Sequence, residues 1–149
     1  MIEAAEAFLE LFKKAQPKEQ SIAKLALILD QLLIAYDLSD EQQFDPTDFM
    51  DPPGIDYVTR RQLVESAFPA LGFYHSIDHI EVDKLVEPSI GDAVDDLADI
   101  YADLHAVVWR WKNTSKEDAI WHFRFTFQTH WGRHLIDLRS HLHYRMFEA

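Results

Sequence analysis

Residues 92–112 read DAVDDLADIYADLHAVVWRWK, and this stretch decides the fold class because it carries the clearest helical pattern in the chain. Its apolar side chains recur at the three- and four-residue spacing that places them on one face of an α-helix. They are Leu97, Tyr101, Leu104, Val108 and Trp111. Either Ser89 or Asp92 can start this helix, which reaches Lys112. The pattern predicts a long amphipathic helix with one core-facing stripe.

A second long helix follows across the turn at residues 113–114. Ser115 and Asp118 have the spacing of a capping box, which marks a helix start, and the pattern then continues to about Met146. At 1.5 Å per residue, a helix of about 32 residues is about 48 Å long. A compact chain of this length has a radius of gyration of about 15 Å and a diameter of roughly 40 Å. The helix must therefore protrude, pair with another subunit or bend, and Gly132 is the predicted bend point.

The rest of the chain predicts shorter helices joined by loops. Helices are expected over 2–15, 18–37 and 57–68, the last one capped by Asp56, and 18–37 is apolar enough to be central or to lie at a dimer interface. The loop over 38–56 is rich in Asp and Pro. Residues 69–90 are irregular, and a short extended piece can form between Tyr74 and Val82. The prediction is one all-α domain over 1–149, a bundle of about five helices with a long, His- and Trp-rich C-terminal helix.

Composition and charge exclude several classes of function. The 149 residues contain no cysteine, which rules out disulfides, thiolate catalysis and cysteine-ligated metals. Acidic residues outnumber basic ones 26 to 14, for a formal net charge of −12. Phosphate backbones and anionic lipids repel such a surface, so we expect neither a nucleic-acid nor a membrane partner. No apolar run is long enough to span a bilayer, and the first residues lack the basic start of a secretory signal, so a cytoplasmic location is expected.

The negative charge is unevenly distributed along the chain. Residues 1–104 hold 22 acidic and 7 basic side chains, a net charge of −15, whereas 105–149 hold 4 and 7, a net +3, with six of the eight histidines. Two interpretations follow: the acidic portion packs on the basic one within one fold, or a polar site lies between them.

Aspartates form a stripe beside the core face of the first long helix. Asp92, Asp96, Asp99 and Asp103 fall on one flank, where like charges repel one another. Such a flank is either solvated and ion-paired or directed at a metal ion, as carboxylates are in some helical bundles.

Histidines form a corresponding stripe on the last helix. His130, His134, Asp137 and His141 share one side, and the His-x-x-x-His spacing lets two imidazoles reach one ion. Asp137 could be a third ligand or could fix the tautomer of a ring. Trp131 stands where a zinc-protease helix carries its catalytic Glu, so that motif is absent. The alternative is that the imidazoles flank the core and donate to aspartates of the preceding helix.

Together the two stripes predict a set of candidate ligands for a divalent zinc, iron or manganese ion, which could activate water for hydrolysis. The candidates are His130, His134, Asp137, His141, Asp99 and Asp103.

Two resemblances bear on function. Arg124 and His130 form an R-x5-H pattern that resembles the Arg–His signature of the HEPN ribonucleases, which implies action on an RNA phosphodiester, although the net charge opposes RNA binding.

Four segments resemble an uncharacterised bacterial family, Domain of Unknown Function 5063. They are residues 95–104 (DDLADIYADL), residues 119–127 (AIWHFRFTF), residues 130–134 (HWGRH) and Leu138-Arg139. That resemblance is strongest over 89–143 and looser over 18–68. It implies a small, mostly helical bacterial protein and supplies no activity or ligand.

The leading functional hypothesis from the sequence is a non-enzymatic interaction or structural protein that self-associates through its aromatic C-terminal half. A homodimer is the expected state, and another protein could also be the partner. The alternative is a divalent-metal-binding helical bundle, which could be a metal-dependent hydrolase.

Overall fold

The computed structural model describes residues 1–13, 18–44, 47–77, 84–85 and 87–149. Within these ranges, six α-helices and one short hairpin make up the regular structure. The helices are α1 (Ile2–Glu10), α2 (Lys18–Asp37), α3 (Tyr57–Ala67), α4 (Ala93–Asn113), α5 (Lys116–Thr126) and α6 (Gly132–Phe147), and the strands are β1 (Phe73–Ser76) and β2 (Ser89–Asp92). A π-helical turn, Phe127–Trp131, joins α5 directly to α6. When these three segments count as one helix, the described part of the chain forms a bundle of five helices. The all-α prediction is confirmed.

Helices α3, α4 and α5 each begin after a residue whose side chain accepts hydrogen bonds from the first free backbone N–H groups. The Asp56 carboxylate accepts from the Thr59 N–H, and the Ser115 hydroxyl accepts from the Asp118 N–H. Asp92 accepts from the backbone N–H groups of Val94 and Asp95 and therefore caps α4.

The hairpin corrects the sequence-based description of residues 69–90 and of the start of α4. Ser89 does not start α4, because Ser89–Asp92 is β2, which pairs antiparallel with β1 in the register Phe73↔Asp92 through Ser76↔Ser89. The predicted extended piece between Tyr74 and Val82 begins as β1. Ile80 and Val82 lie outside the described residues. The helix predicted over 2–15 is shorter in the structure, because α1 ends at Glu10.

The core lies around α4, which packs against α1, α3, α5 and α6, while α2 packs against α1 and α6. The largest side chains with almost no exposed surface come mainly from these elements. They are Trp131, Phe8, Phe123, Leu11, Leu25, Leu29, Leu32, Leu97, Ile100, Leu104, Leu135 and Leu138. The broad apolar stripe of α2 is buried on one side only, since Leu27 and Ile34 are exposed.

The last helix is interrupted by the π turn immediately before Gly132. Gly132 itself has ordinary helical angles, φ −63° and ψ −37°, and its N–H donates to the Phe127 carbonyl. A Cβ at this position would lie 2.4 Å from that carbonyl oxygen, so the turn requires glycine here. The π turn, α5 and α6 all pack against α4. Among the described residues, no helix has the length and apolar character needed to cross a membrane.

Candidate metal centre

The antiparallel packing of α4 against the last helix brings the aspartate stripe to two of the histidines. His130 lies in the π turn and His134 in the first turn of α6. Asp96, Asp99 and Asp103 follow one another along α4 at three- and four-residue spacing, on one side of the helix. These five side chains form the candidate centre.

Each imidazole is held by a carboxylate at Nδ1. The Nδ1 atom of His130 lies 2.6 Å from Asp103 Oδ2, and the Nδ1 atom of His134 lies 2.7 Å from Asp96 Oδ1. An ionised carboxylate only accepts hydrogen bonds, so both rings donate from Nδ1. In a neutral ring this leaves the Nε2 lone pair free to bind an ion.

Both Nε2 atoms face the same oxygen of Asp99. Asp99 Oδ2 is 3.8 Å from the Nε2 of His130 and 3.6 Å from the Nε2 of His134. Ligand atoms from these three residues all lie within 4.8 Å of one another. A tetrahedral zinc ion with bonds of about 2.1 Å separates its ligands by roughly 3.4 Å, so this set is slightly wider than a closed zinc site.

The electrostatics of the cluster favour a cation. The cluster contains three carboxylates, and among the described residues one guanidinium reaches it: Arg60 Nη2 lies 3.1 Å from Asp99 Oδ1. With neutral imidazoles this leaves two uncompensated negative charges, which a divalent ion would neutralise. The hydrogen bond to Asp96 raises the pKa of His134, and burial raises the pKa of Asp103 against the effect of His130. The first shift reflects the negative charge around the His134 ring, and the second reflects the lost hydration of the Asp103 carboxylate.

Tyr74 of β1 connects the hairpin to the cluster. Its hydroxyl donates to Asp96 Oδ2, while Asp96 Oδ1 holds His134. Gly91 lies opposite Tyr74 in the hairpin and leaves room for the tyrosine ring. Any other residue would clash with the ring, because a Cβ at this position would lie 2.5 Å from it. Burial, together with this hydrogen bond, raises the pKa of Tyr74, so the hydroxyl remains a donor.

Two predicted ligands lie away from the cluster and contact the hairpin side instead. Asp137 accepts from Arg133 Nε at 2.7 Å and from the Ser76 hydroxyl at 3.0 Å. His141 donates from Nε2 to the Leu71 carbonyl at 2.9 Å and stacks on the Tyr74 ring with centroids 4.9 Å apart.

The two residues of the R-x5-H pattern contact different helices. The Arg124 guanidinium donates to the carbonyls of Tyr36 and Ser39 at the C-terminal end of α2, at 3.1 and 2.8 Å. His130 faces Asp103 and Asp99 on α4. Arg124 therefore joins the last helix to α2.

Sequence reasoning missed Arg60 and Tyr74 as members of the centre. Arg60 stands 39 positions before Asp99, and Tyr74 stands 22 positions before Asp96. Contacts of this kind are made by tertiary packing, and no spacing rule within one helix could find them.

Comparisons with known proteins identify a family and a fold. The family model for a domain of unknown function, DUF5063, matches residues 1–148, which confirms the resemblance and extends it over nearly the whole chain. A crystal structure of protein BF1032 from Bacteroides fragilis is similar, with a TM-score of 0.79 and 17% sequence identity over 99% of this chain and 90% of that one. At this identity the similarity establishes the fold alone. No functionally curated protein matches the chain.

Proposed function

We propose that this chain, which belongs to the DUF5063 family, binds one divalent transition-metal ion through Asp99, His130 and His134. One observation carries the proposal: two imidazoles present Nε2 to the same Asp99 oxygen, at 3.8 and 3.6 Å. The ion would join α4 to the last helix.

The hydrogen bonds at Nδ1 support this assignment. Metal-binding histidines commonly donate their other ring N–H to a carboxylate, which fixes the ring and strengthens the ligand. Asp103 and Asp96 occupy these two positions, the role that the sequence had suggested for Asp137. Two imidazoles and one carboxylate suit zinc or ferrous iron better than manganese, which prefers oxygen ligands.

Three protein ligands leave at least one coordination position open, as in catalytic metal sites. The His130 side chain is 46% exposed, so the open position would face solvent. A water molecule bound there would have a lowered pKa and could act as a nucleophile. Metal-assisted hydrolysis is the reaction class that this arrangement would support.

Calorimetric titration of protein prepared without a nickel column and stripped with a chelator tests the proposal. We expect one Zn²⁺ or Fe²⁺ per chain, and we expect binding to be lost in Asp99→Asn, His130→Gln and His134→Gln. The matched control is His143→Gln, another histidine of α6, whose side chain is 54% exposed. It should bind like the wild type.

The competing interpretation is that protonated imidazoles only neutralise the aspartates. It predicts no saturable binding by the wild type at micromolar metal, or equal binding by all four variants through scattered surface histidines. Either result would overturn the proposal, provided that circular dichroism shows each variant to be folded.

A further inference from the structure

Arg60 is the member of the cluster whose role the proposed metal site does not explain. It lies on α3 and approaches Asp99 from outside the packed pair of α4 and the last helix, where its Nη2 donates to Asp99 Oδ1 at 3.1 Å. The other oxygen, Oδ2, faces the Nε2 atoms of His130 and His134 at 3.8 and 3.6 Å. The two oxygens of one carboxylate therefore have different partners, a guanidinium for Oδ1 and the two imidazoles for Oδ2.

Contacts with α3 and α4 hold the guanidinium in this position. Its central carbon lies 5.3 Å from the centroid of the Tyr57 ring, within the range of a cation–π interaction. The Tyr57 hydroxyl in turn donates to Asp95 Oδ1 at 2.6 Å, which anchors the ring to α4. The side chains of Arg60 and Asp99 are only 22% and 19% exposed, so salt and water screen their contact less than that of a surface pair.

This placement leaves one hydrogen-bond donor of Arg60 unpaired. Its Nε is buried and has no partner among the described residues, and in the same part of the chain Asp99 is the one carboxylate that the guanidinium contacts. A buried donor without a partner costs free energy, and a partly buried ion pair is weak evidence for stability. The arginine is therefore better explained by its effect on Asp99 than by the packing of α3 on α4.

We infer that Arg60 is a positioning residue that limits Asp99 to a single metal-binding oxygen, Oδ2, and thereby makes the centre favour Zn²⁺ over Mn²⁺. The inference rests on the proposed metal site. For both carboxylate oxygens to bind one ion, the ion must lie between them and so move toward Oδ1. There it would approach the guanidinium, and positive charges repel each other strongly at short range.

The number of ligand atoms connects this restriction to the choice of metal. With one oxygen from Asp99, the chain supplies three ligand atoms, and one water molecule completes the tetrahedron that zinc adopts. With both oxygens it would supply a second oxygen ligand and a higher coordination number, which suit the octahedral, oxygen-rich sites of Mn²⁺. Arg60 thus withholds a ligand from which Mn²⁺ gains more than Zn²⁺ does.

Calorimetric titration of chelator-stripped protein with Zn²⁺ and with Mn²⁺ tests this role in Arg60→Met, which removes the guanidinium and keeps a long side chain. Losing a positive charge strengthens the binding of any divalent ion, so the informative quantity is the dissociation constant for Mn²⁺ divided by that for Zn²⁺. We expect this ratio to fall about tenfold, a usual size of effect for a group that contacts a metal ligand.

Arg61→Met is the matched control. It removes the same charge from the next residue of α3, whose guanidinium binds Asp92 at 2.8 Å and does not contact Asp99. We expect Arg61→Met to keep the wild-type ratio, because it changes the local charge and leaves both oxygens of Asp99 with their partners. Circular dichroism establishes that both variants are folded.

Infrared difference spectra of the wild type with and without Zn²⁺ give a second check that needs no variant. A carboxylate that binds a metal through one oxygen has more widely separated symmetric and antisymmetric stretching bands than one that binds through both. We expect the wide separation for the carboxylate bands that change on adding Zn²⁺.

Two results would refute the role of Arg60 and leave the proposed metal site intact. One is a ratio that Arg60→Met leaves unchanged or that Arg61→Met lowers equally, and the other is a narrow band separation in the wild type. A wild type that binds neither ion would instead refute the metal site, and the inference with it.

Discussion

The orientation of each imidazole in the centre depends on a single carboxylate. Asp103 and Asp96 bind the Nδ1 atoms of His130 and His134 at 2.6 and 2.7 Å, and these contacts turn both Nε2 atoms toward Asp99. Each carboxylate also makes the imidazole that donates to it more basic and therefore a stronger ligand. Asp96 and Asp103 would therefore contribute to the proposed site by orienting its ligands, without touching the ion.

Asp103→Asn tests this positioning role. The asparagine oxygen can still accept the hydrogen bond from His130, but the negative charge is gone. We expect metal affinity to fall about 10–100-fold while one ion is still bound, the usual effect of changing such a partner. Calorimetric titration measures it. Asp137→Asn is the control, because Asp137 contacts Arg133 and Ser76; a larger loss for this variant than for Asp103→Asn would contradict the assignment.

At the scale of elements, the π turn in the last helix is the unusual feature, and it carries one of the proposed ligands. π turns are rare in helices and are frequent at functional sites. His130 lies inside the turn, His134 lies just after it, and Gly132 lies between them. The local backbone therefore sets the relative placement of the two rings.

Gly132→Ala should destabilise the protein, contrary to the usual effect of this exchange in a helix. An added Cβ would lie 2.4 Å from the Phe127 carbonyl oxygen and 3.1 Å from its ring, and overpacking of this kind costs about 1–3 kcal/mol. Urea denaturation measures the free energy of unfolding. Gly54→Ala, where no atom lies within 4 Å of the new Cβ, should show no such loss, and a Gly132→Ala variant more stable than the wild type would refute the requirement for glycine.

The helices were predictable from the sequence because their signals are local. Asp56 and Ser115 are helix caps whose hydrogen bonds span three residues, and apolar spacing predicted α4. The four-residue strands of the hairpin carry too few residues to establish a period. The π turn was not predicted because a helical wheel assumes a constant rotation per residue.

The candidate centre was predictable in part. The two stripes indicated that Asp99 and Asp103 could meet His130 and His134. His141 shares their side of the helix, but seven residues of helix separate it from His134 by about 10 Å along the axis, too far for one ion. A wheel shows angular position and ignores this axial distance.

At the scale of the whole molecule, the uneven charge is only partly compensated by short contacts between the two portions of the chain. Arg139 binds both carboxylate oxygens of Asp30, at 2.7 and 3.1 Å, and Lys112 lies 3.3 Å from Glu6. With 26 acidic and 14 basic side chains, at least 12 acidic groups have no basic side chain to balance them. Folding therefore concentrates negative charge.

We expect sodium chloride to stabilise the folded protein in the absence of divalent metal. Raising ionic strength from about 0.01 to 0.15 M shortens the Debye length from about 30 to 8 Å, which screens repulsion between distant aspartates more than it weakens contact pairs such as Arg139–Asp30. A gain of about 1 kcal/mol would raise the melting temperature by roughly 2–4 °C.

Choline chloride is the control salt. It should raise the melting temperature as much as sodium chloride if the effect is screening, whereas a requirement for sodium would indicate a bound cation. A melting temperature that falls with salt would mean that attraction between the acidic and basic portions outweighs the net repulsion.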